Sequence, residues 1–101
     1  GDSPALRIVD FFLDNRLFDY SKEEVIQNLS MGRGTFFEYW RELEGFNVVK
    51  VTRQIGKSKL YRLNEENEIV KRLLMLDSAL CKRAMEKAVE EAREERKAVP
   101  V

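Results

Sequence analysis

The chain has 101 residues, with 18 basic and 18 acidic side chains, no histidine and one cysteine. A single cysteine excludes a disulfide framework within the chain, and without histidine a Cys/His metal centre has no ligand set. Apolar residues make up 44% and charged residues 36%, so the chain is expected to fold, with a heavily solvated surface.

Glu, Lys and Arg dominate the polar residues while Gln is rare. That bias is common in thermophile proteins, and a long solvated helix produces it equally well. No apolar run approaches the ~20 residues of a membrane-spanning helix, so no membrane partner is expected. Gly1-Asp2 opens acidic and leads directly into a helix, unlike a signal peptide, and a cytoplasmic location is the expectation. Cys81 is expected to behave as a small buried hydrophobe. Neither a metal nor a cofactor is expected.

Ser3-Pro4 marks a helix start, because Ser caps and Pro fits the first turn, where its missing N–H has no partner to lose. Leu6, Val9, Phe12 and Leu13 then recur at helical spacing, widened by Ile8 and Phe11, over about 4–15. "RLFDYS" breaks the pattern and is compatible with a very short strand at Leu17, Phe18 and Tyr20. Ser21 and Glu24 match a capping box for a short helix over 22–29, with Val25, Ile26 and Leu29 inward.

"LSMG" is a tight turn, in which Gly32 is expected to take the dihedrals that a Cβ resists and Met31 to plug the turn. A third helix is expected over 33–44. Phe36, Trp40 and Leu43 share its buried face, Tyr39 fills the edge of the core, and Gly45 caps the end. "NVVKVTRQ" and "KLYRL" read as strands joined through "IGKS", with Gly56 in the turn. Val49, Val51, Tyr61 and Leu63 are expected to face the core, and Lys50, Thr52 and Arg62 to face out. From Glu65 the pattern is helical for about 30 residues, with Asn64 as its expected cap and fraying expected near Pro100.

A helix over 65–97 is about 50 Å long at 1.5 Å per residue, whereas a body built from the first 64 residues is about 25 Å across. Ile69, Leu73, Leu76, Leu80 and Ala84 form an apolar stripe along it. A second copy of the chain is the simplest cover for that stripe, so these residues are the expected dimer interface. The amino-terminal part of the same stripe can also close the domain.

The order helix, short strand, helix, turn, helix, hairpin, long helix resembles the winged helix-turn-helix arrangement of archaeal and bacterial transcriptional regulators. "SKEEVIQNL" is similar to the first helix of that motif, "SMGRGTFFEYWREL" to its turn and recognition helix, and "VVKVTRQIGKSKLYRL" to its wing. The resemblance covers residues 3–64 and implies an α+β, mostly helical fold. A winged domain over 3–64 would be followed by a dimerisation helix over 65–98.

The resemblance also implies double-stranded DNA as a partner, bound by a homodimer whose recognition helices enter successive major grooves ~34 Å apart. The residues agree with it. Gly45 to Asn64 contains no acid but holds Lys50, Arg53, Lys57, Lys59 and Arg62, a surface suited to displacing counterions from phosphates. The candidate DNA-binding residues on the wing are therefore Arg53, Lys57, Ser58 and Lys59. On the recognition helix they are Arg33, Gly34, Thr35, Phe37 and Arg41, of which Arg33 can read guanine and Phe37 can meet a thymine methyl or a sugar. Glu38 can accept from cytosine or simply stabilise its helix. A lysine-rich edge strand also protects against aggregation. The acids on the recognition helix and the zero net charge also fit a second function, a winged-helix module that binds protein and not DNA. No enzyme is expected, since histidine and a phosphate-binding glycine loop are both absent.

Overall fold

A computed structural model describes residues 3–98. The chain is α+β, with helices α1 (Pro4–Asp14), α2 (Lys22–Leu29) and α3 (Arg33–Gly45), strands β1 (Val49–Ile55) and β2 (Ser58–Leu63), and helix α4 (Glu68–Ala98). It forms two compact units, one running to Val70 and the other starting at Lys71. The expected fraying near Pro100 and the Gly1-Asp2 opening lie outside the described residues.

The caps explain where the first helices start. Ser3 Oγ accepts from the Leu6 N–H at the head of α1, with Pro4 in the first turn. The capping box of α2 is complete: Ser21 Oγ accepts from Glu24 N–H at 3.2 Å, and Glu24 Oε1 accepts from Ser21 N–H at 3.0 Å. Between α2 and α3, Ser30 takes the left-handed conformation at φ 50°, and not Gly32 as expected. Gly32 sits at φ −63° as the N-cap of α3. Met31 is buried in the turn, and its N–H donates to the Ile26 carbonyl at 3.2 Å.

Gly45 is the last residue of α3, not its cap. The positive φ that turns the chain out of α3 falls at Asn47, at 57°. Asn tolerates that region better than most residues with a Cβ.

The sheet is an antiparallel hairpin in which Val49 pairs with Leu63 and Val51 with Tyr61. Tyr20 adds an isolated bridge on the far side of β2, and this is all that forms of the short strand expected around Leu17. β2 therefore lies between Tyr20 and β1, and β1 is the outer strand. Gly56 holds the hairpin turn at φ +60°.

The register shifts between Val51 and Arg53, which leaves Thr52 as an extra, bulged residue. Val51, expected in the core, is 47% exposed. It shares the inner face with Val49 but lies on the outer strand, close to the bulge. Leu60, just past the shift, is buried together with its neighbour Tyr61.

The core of the first unit gathers on Trp40. Its ring stacks on Phe36 at 5.3 Å, lies 6.1 Å from Phe12 of α1, and meets Tyr61 of β2 edge-on at 4.9 Å. Ile8, Val9, Val25, Leu43, Val48, Val49 and Leu63 complete the packing. Leu6, placed on the apolar face of α1 by its spacing, is exposed.

Helix α4 is capped by Asn67 and not by Asn64. Asn67 Oδ1 accepts from Ile69 N–H at 2.8 Å and Val70 N–H at 3.3 Å, while Asn64 Oδ1 accepts from Glu66 N–H at 3.2 Å in the turn before it. Asn67 Nδ2 also donates to the carbonyls of Phe46 and Asn47, at 2.8 and 3.1 Å. The cap thereby ties the start of α4 to the turn after α3. Val70, the first buried residue of α4, is 0% exposed. Cys81, expected to be buried, is exposed. Among the described residues no helix is long and apolar enough to cross a membrane, and no cluster of metal-ligating side chains occurs.

Asn67→Ala removes one helix cap and its amide bonds to two carbonyls. Loss of a cap costs about 1 kcal/mol, and the stranded carbonyls add to it. The variant is expected to unfold at a lower urea concentration than the parent, while Asn64→Ala shifts the midpoint less.

Candidate nucleic-acid interface

The hairpin tip, the head of α2 and one turn of α3 enclose a cleft of about 430 Å³. It is lined by Ser21, Lys22 and Glu23 of the α2 head, Phe37 of α3, and Lys57, Ser58, Lys59 and Tyr61 of the hairpin. The fold thus brings Phe37 together with Lys57, Ser58 and Lys59, which lie some twenty residues away in sequence. Gln54 Nε2 donates to the Gly56 carbonyl at 3.0 Å and braces the turn that presents those lysines.

Arg33 stands beside the cleft. Its Nη1 lies 2.6 and 2.7 Å from the two carboxylate oxygens of Glu23, and its guanidinium carbon is 5.5 Å from the centre of the Phe37 ring. More than half of each charged side chain is exposed, at 62% for Arg33 and 55% for Glu23. Exposed pairs of this kind contribute about 0–1 kcal/mol, so a phosphate or a base edge can replace Glu23 at low cost.

Lys22 is held differently. Its Nζ lies 5.6 Å from the centre of the Tyr61 ring, 5.9 Å from each of Phe37 and Trp40, and 3.5 Å from Glu44 Oε1. Trp40 Nε1 donates to the same Glu44 oxygen. The cation is therefore fixed against the aromatic wall of the cleft.

Arg53 does not share the cleft. Its Nε and Nη2 donate to the two oxygens of Asp19 at 2.9 and 3.1 Å, and Thr52 Oγ1 donates to Asp19 Oδ2 at 2.6 Å. These bonds, the Arg53 contact first, hold the Asp19 carboxyl at about 2, against an ordinary value of 3.8. The bulged Thr52 and its neighbour thus anchor the middle of β1 to the α1–α2 connection. Arg62 Nη2 donates to the Leu17 carbonyl of the same connection.

Lys50, Lys57, Lys59 and Arg41 are in no ion pair among the described residues. Gly34, Thr35 and Arg41 are exposed on α3, outside the lining of the cleft. A Cβ built on Gly34 meets nothing within 4 Å, so packing within the chain does not require glycine there.

Sequence reasoning did not single out Asp19, Lys22 or Glu23. The acid-free hairpin is neutralised at Arg53 by an aspartate from another segment, and nothing in the hairpin's own sequence signals this. The capping box at Ser21 and Glu24 did mark the head of α2, and Lys22 and Glu23 are its first helical residues. No protein-family model matches this chain, and no curated protein matches it.

Asp19 is depressed when folded, so its pair with Arg53 contributes stability above the ordinary carboxylate value. That contribution is lost as pH falls from about 4 through about 2. Asp19→Asn is therefore expected to be less stable than the parent at neutral pH, and the difference should shrink toward zero by pH 2. Thermal melts of both proteins across that range test this. A gap that stays constant with pH rules the linkage out.

Proposed function

We propose that the chain is a winged helix-turn-helix protein that binds double-stranded DNA as a homodimer. α3 is the recognition helix and the β1–β2 hairpin the wing. The observation that carries this reading is the cleft lined by Phe37, Lys57, Ser58 and Lys59, in which the two lysines have no acidic partner among the described residues. A backbone phosphate on those lysines releases condensed counterions. Phe37 then faces a sugar or a thymine methyl, and Arg33 can leave Glu23 for a guanine edge or a phosphate. Lys22 offers a further cation from the cleft wall. Thr35 and Arg41 extend the exposed face of α3 toward the backbone, and Arg53 holds the wing in place through Asp19. In the homodimer, the open α4 stripe of Ile69, Leu73, Leu76, Leu80 and Ala84 is the contact between copies, and the DNA site is palindromic.

One observation favours a second reading, a winged-helix module for protein partners. Arg33 and Arg53 are both already paired with acids of the chain, which lowers the charge available to DNA.

Duplex DNA from the chain's own upstream region is expected to bind, with affinity falling steeply as salt rises. Lys57→Glu with Lys59→Glu removes two phosphate contacts and lowers the slope of log K against log salt by about 2. No detectable duplex binding at about 50 mM salt, where the phosphate contribution is large, removes the DNA reading. Retention of a protein partner by the Lys57→Glu/Lys59→Glu variant favours the second reading.

Gly34 separates folding from binding. Gly34→Ala is expected to raise helix stability by up to about 1 kcal/mol but to weaken DNA binding, because its methyl stands where the DNA backbone approaches α3. Unchanged DNA affinity in a stabilised Gly34→Ala protein excludes that close approach.

A further inference from the structure

Helix α4 carries more apolar surface than its own chain covers. Ile69, Leu76 and Leu80 are 52, 57 and 58% exposed, and Leu73 is half-buried. Ile69, Leu73, Leu76 and Leu80 follow one another at steps of four, three and four, the alternation of a heptad seam. At the next two places of that repeat stand Arg83 and Lys87. The seam therefore ends after Leu80. The other apolar face, with Cys81, Met85 and Val89, begins about 100° around the helix from Leu80. A single straight partner helix cannot cover both faces.

The charges beside the seam discriminate between the ways two copies can meet. Arg72 immediately precedes Leu73, and Asp77 immediately follows Leu76. Neither takes part in an ion pair among the described residues. In a parallel, in-register pair, the residue before one seam position faces the partner residue five places further on. Arg72 then meets the partner's Asp77, and symmetry repeats the contact. The next such pair sets Ala79 against the partner's Ala84, small and uncharged, so the helices can approach closely. Beyond it, Glu86 faces the partner's Glu91 while Arg83 and Lys87 meet their own copies, and the helices separate.

Antiparallel alternatives fit less well. With Leu76 on the partner's Leu80, the two Asp77 side chains approach each other, and Leu73 and Ile69 face Arg83 and Lys87. With Leu76 on the partner's Leu73, Asp77 is set against Val70, which is fully buried in its own chain, and Arg72 faces Ala79.

We infer that the α4 seam of Ile69, Leu73, Leu76 and Leu80 takes a second copy of this chain, parallel and in register, locked by reciprocal Arg72–Asp77 pairs and ending at Arg83. This rests on the homodimer part of the proposed function and adds orientation, register and the residues that set them.

The test uses the full chain with Cys81→Ser, so that one cysteine at a time can be introduced. In the parallel pair Leu76 faces its own copy. Leu76→Cys is therefore expected to form a covalent dimer on mild oxidation, seen on a non-reducing gel. In either antiparallel layering residue 76 faces 73 or 80 instead, and cross-links appear only when Leu76→Cys is mixed with Leu73→Cys or Leu80→Cys. A sedimenting dimer that shows only mixed cross-links overturns the orientation and leaves the homodimer intact. A monomer in sedimentation at concentrations of tens of micromolar overturns both.

Charge reversal supplies a check that leaves the seam itself unaltered. Arg72→Glu alone should weaken dimerisation about three- to tenfold, as should Asp77→Lys alone, and the two together should restore it. Equal dimer dissociation constants for the parent, the single variants and the double variant overturn the proposed pairing.

Discussion

The first unit depends on how Trp40 is held. Its ring is 1% exposed and lies against Phe12 of α1, Phe36 of its own helix and Tyr61 of β2. The indole N–H is satisfied by Glu44, which also holds Lys22 of α2. One side chain thus links α1, α2, α3 and the sheet. An indole has a large apolar body and one polar atom that needs a partner when buried. Trp40 meets both demands because Glu44 lies one turn further along α3. The aromatic wall that encloses this core is also the wall of the cleft, since Phe37 and Tyr61 line it. Packing and the candidate interface therefore share residues, and neither is set independently of the other.

Charge in this region follows a division of labour. Two of the hairpin's basic residues are tied to the α1–α2 connection, Arg53 through Asp19 and Arg62 through the Leu17 carbonyl. Lys57 and Lys59 at the tip, like Lys50 near the base, have no acidic partner among the described residues. A β-ribbon that projects from a small body needs fixing along its length, and the bulge at Thr52 helps supply it. The extra residue sends a hydroxyl to Asp19 where regular pairing would not. Under the proposed function the anchored ribbon and the unpaired tip have separate roles, and only the tip meets phosphate.

Local and periodic features were legible in the sequence. The capping box of α2, the buried positions Phe36, Trp40 and Leu43, the glycine of the hairpin turn and the long final helix all follow from short-range spacing, which one sequence displays directly. The failures share a different cause. In the turns that flank α3, Ser30 and Asn47 carry the positive φ values, not Gly32 and Gly45, and a residue with a Cβ does not advertise that conformation as glycine does. Strict alternation places Val51 in the core, but alternation says nothing of which strand is outermost or where a bulge falls. Asp19 was invisible because its partners are 33 and 34 residues away. Cys81 follows Ala79 and Leu80 in sequence, yet every described residue of α4 from Met75 on is exposed, so nothing in the chain covers it.

The start of α4 closes the first unit. Asn67 bonds at once to the first N–H groups of α4 and to the carbonyls of Phe46 and Asn47. Those carbonyls belong to the turn that Asn47 shapes with its left-handed backbone. The cap therefore fixes both where the helix begins and its rotational phase. With that phase Val70 points into the core and its neighbour Ile69, about 100° around the axis, points out. An α-helix turns by about 100° per residue, so starting α4 one residue later would swing Val70 out of the core. The turn after α3 thus sets the closure of the first unit, because the carbonyls that hold Asn67 fix the residue at which α4 begins.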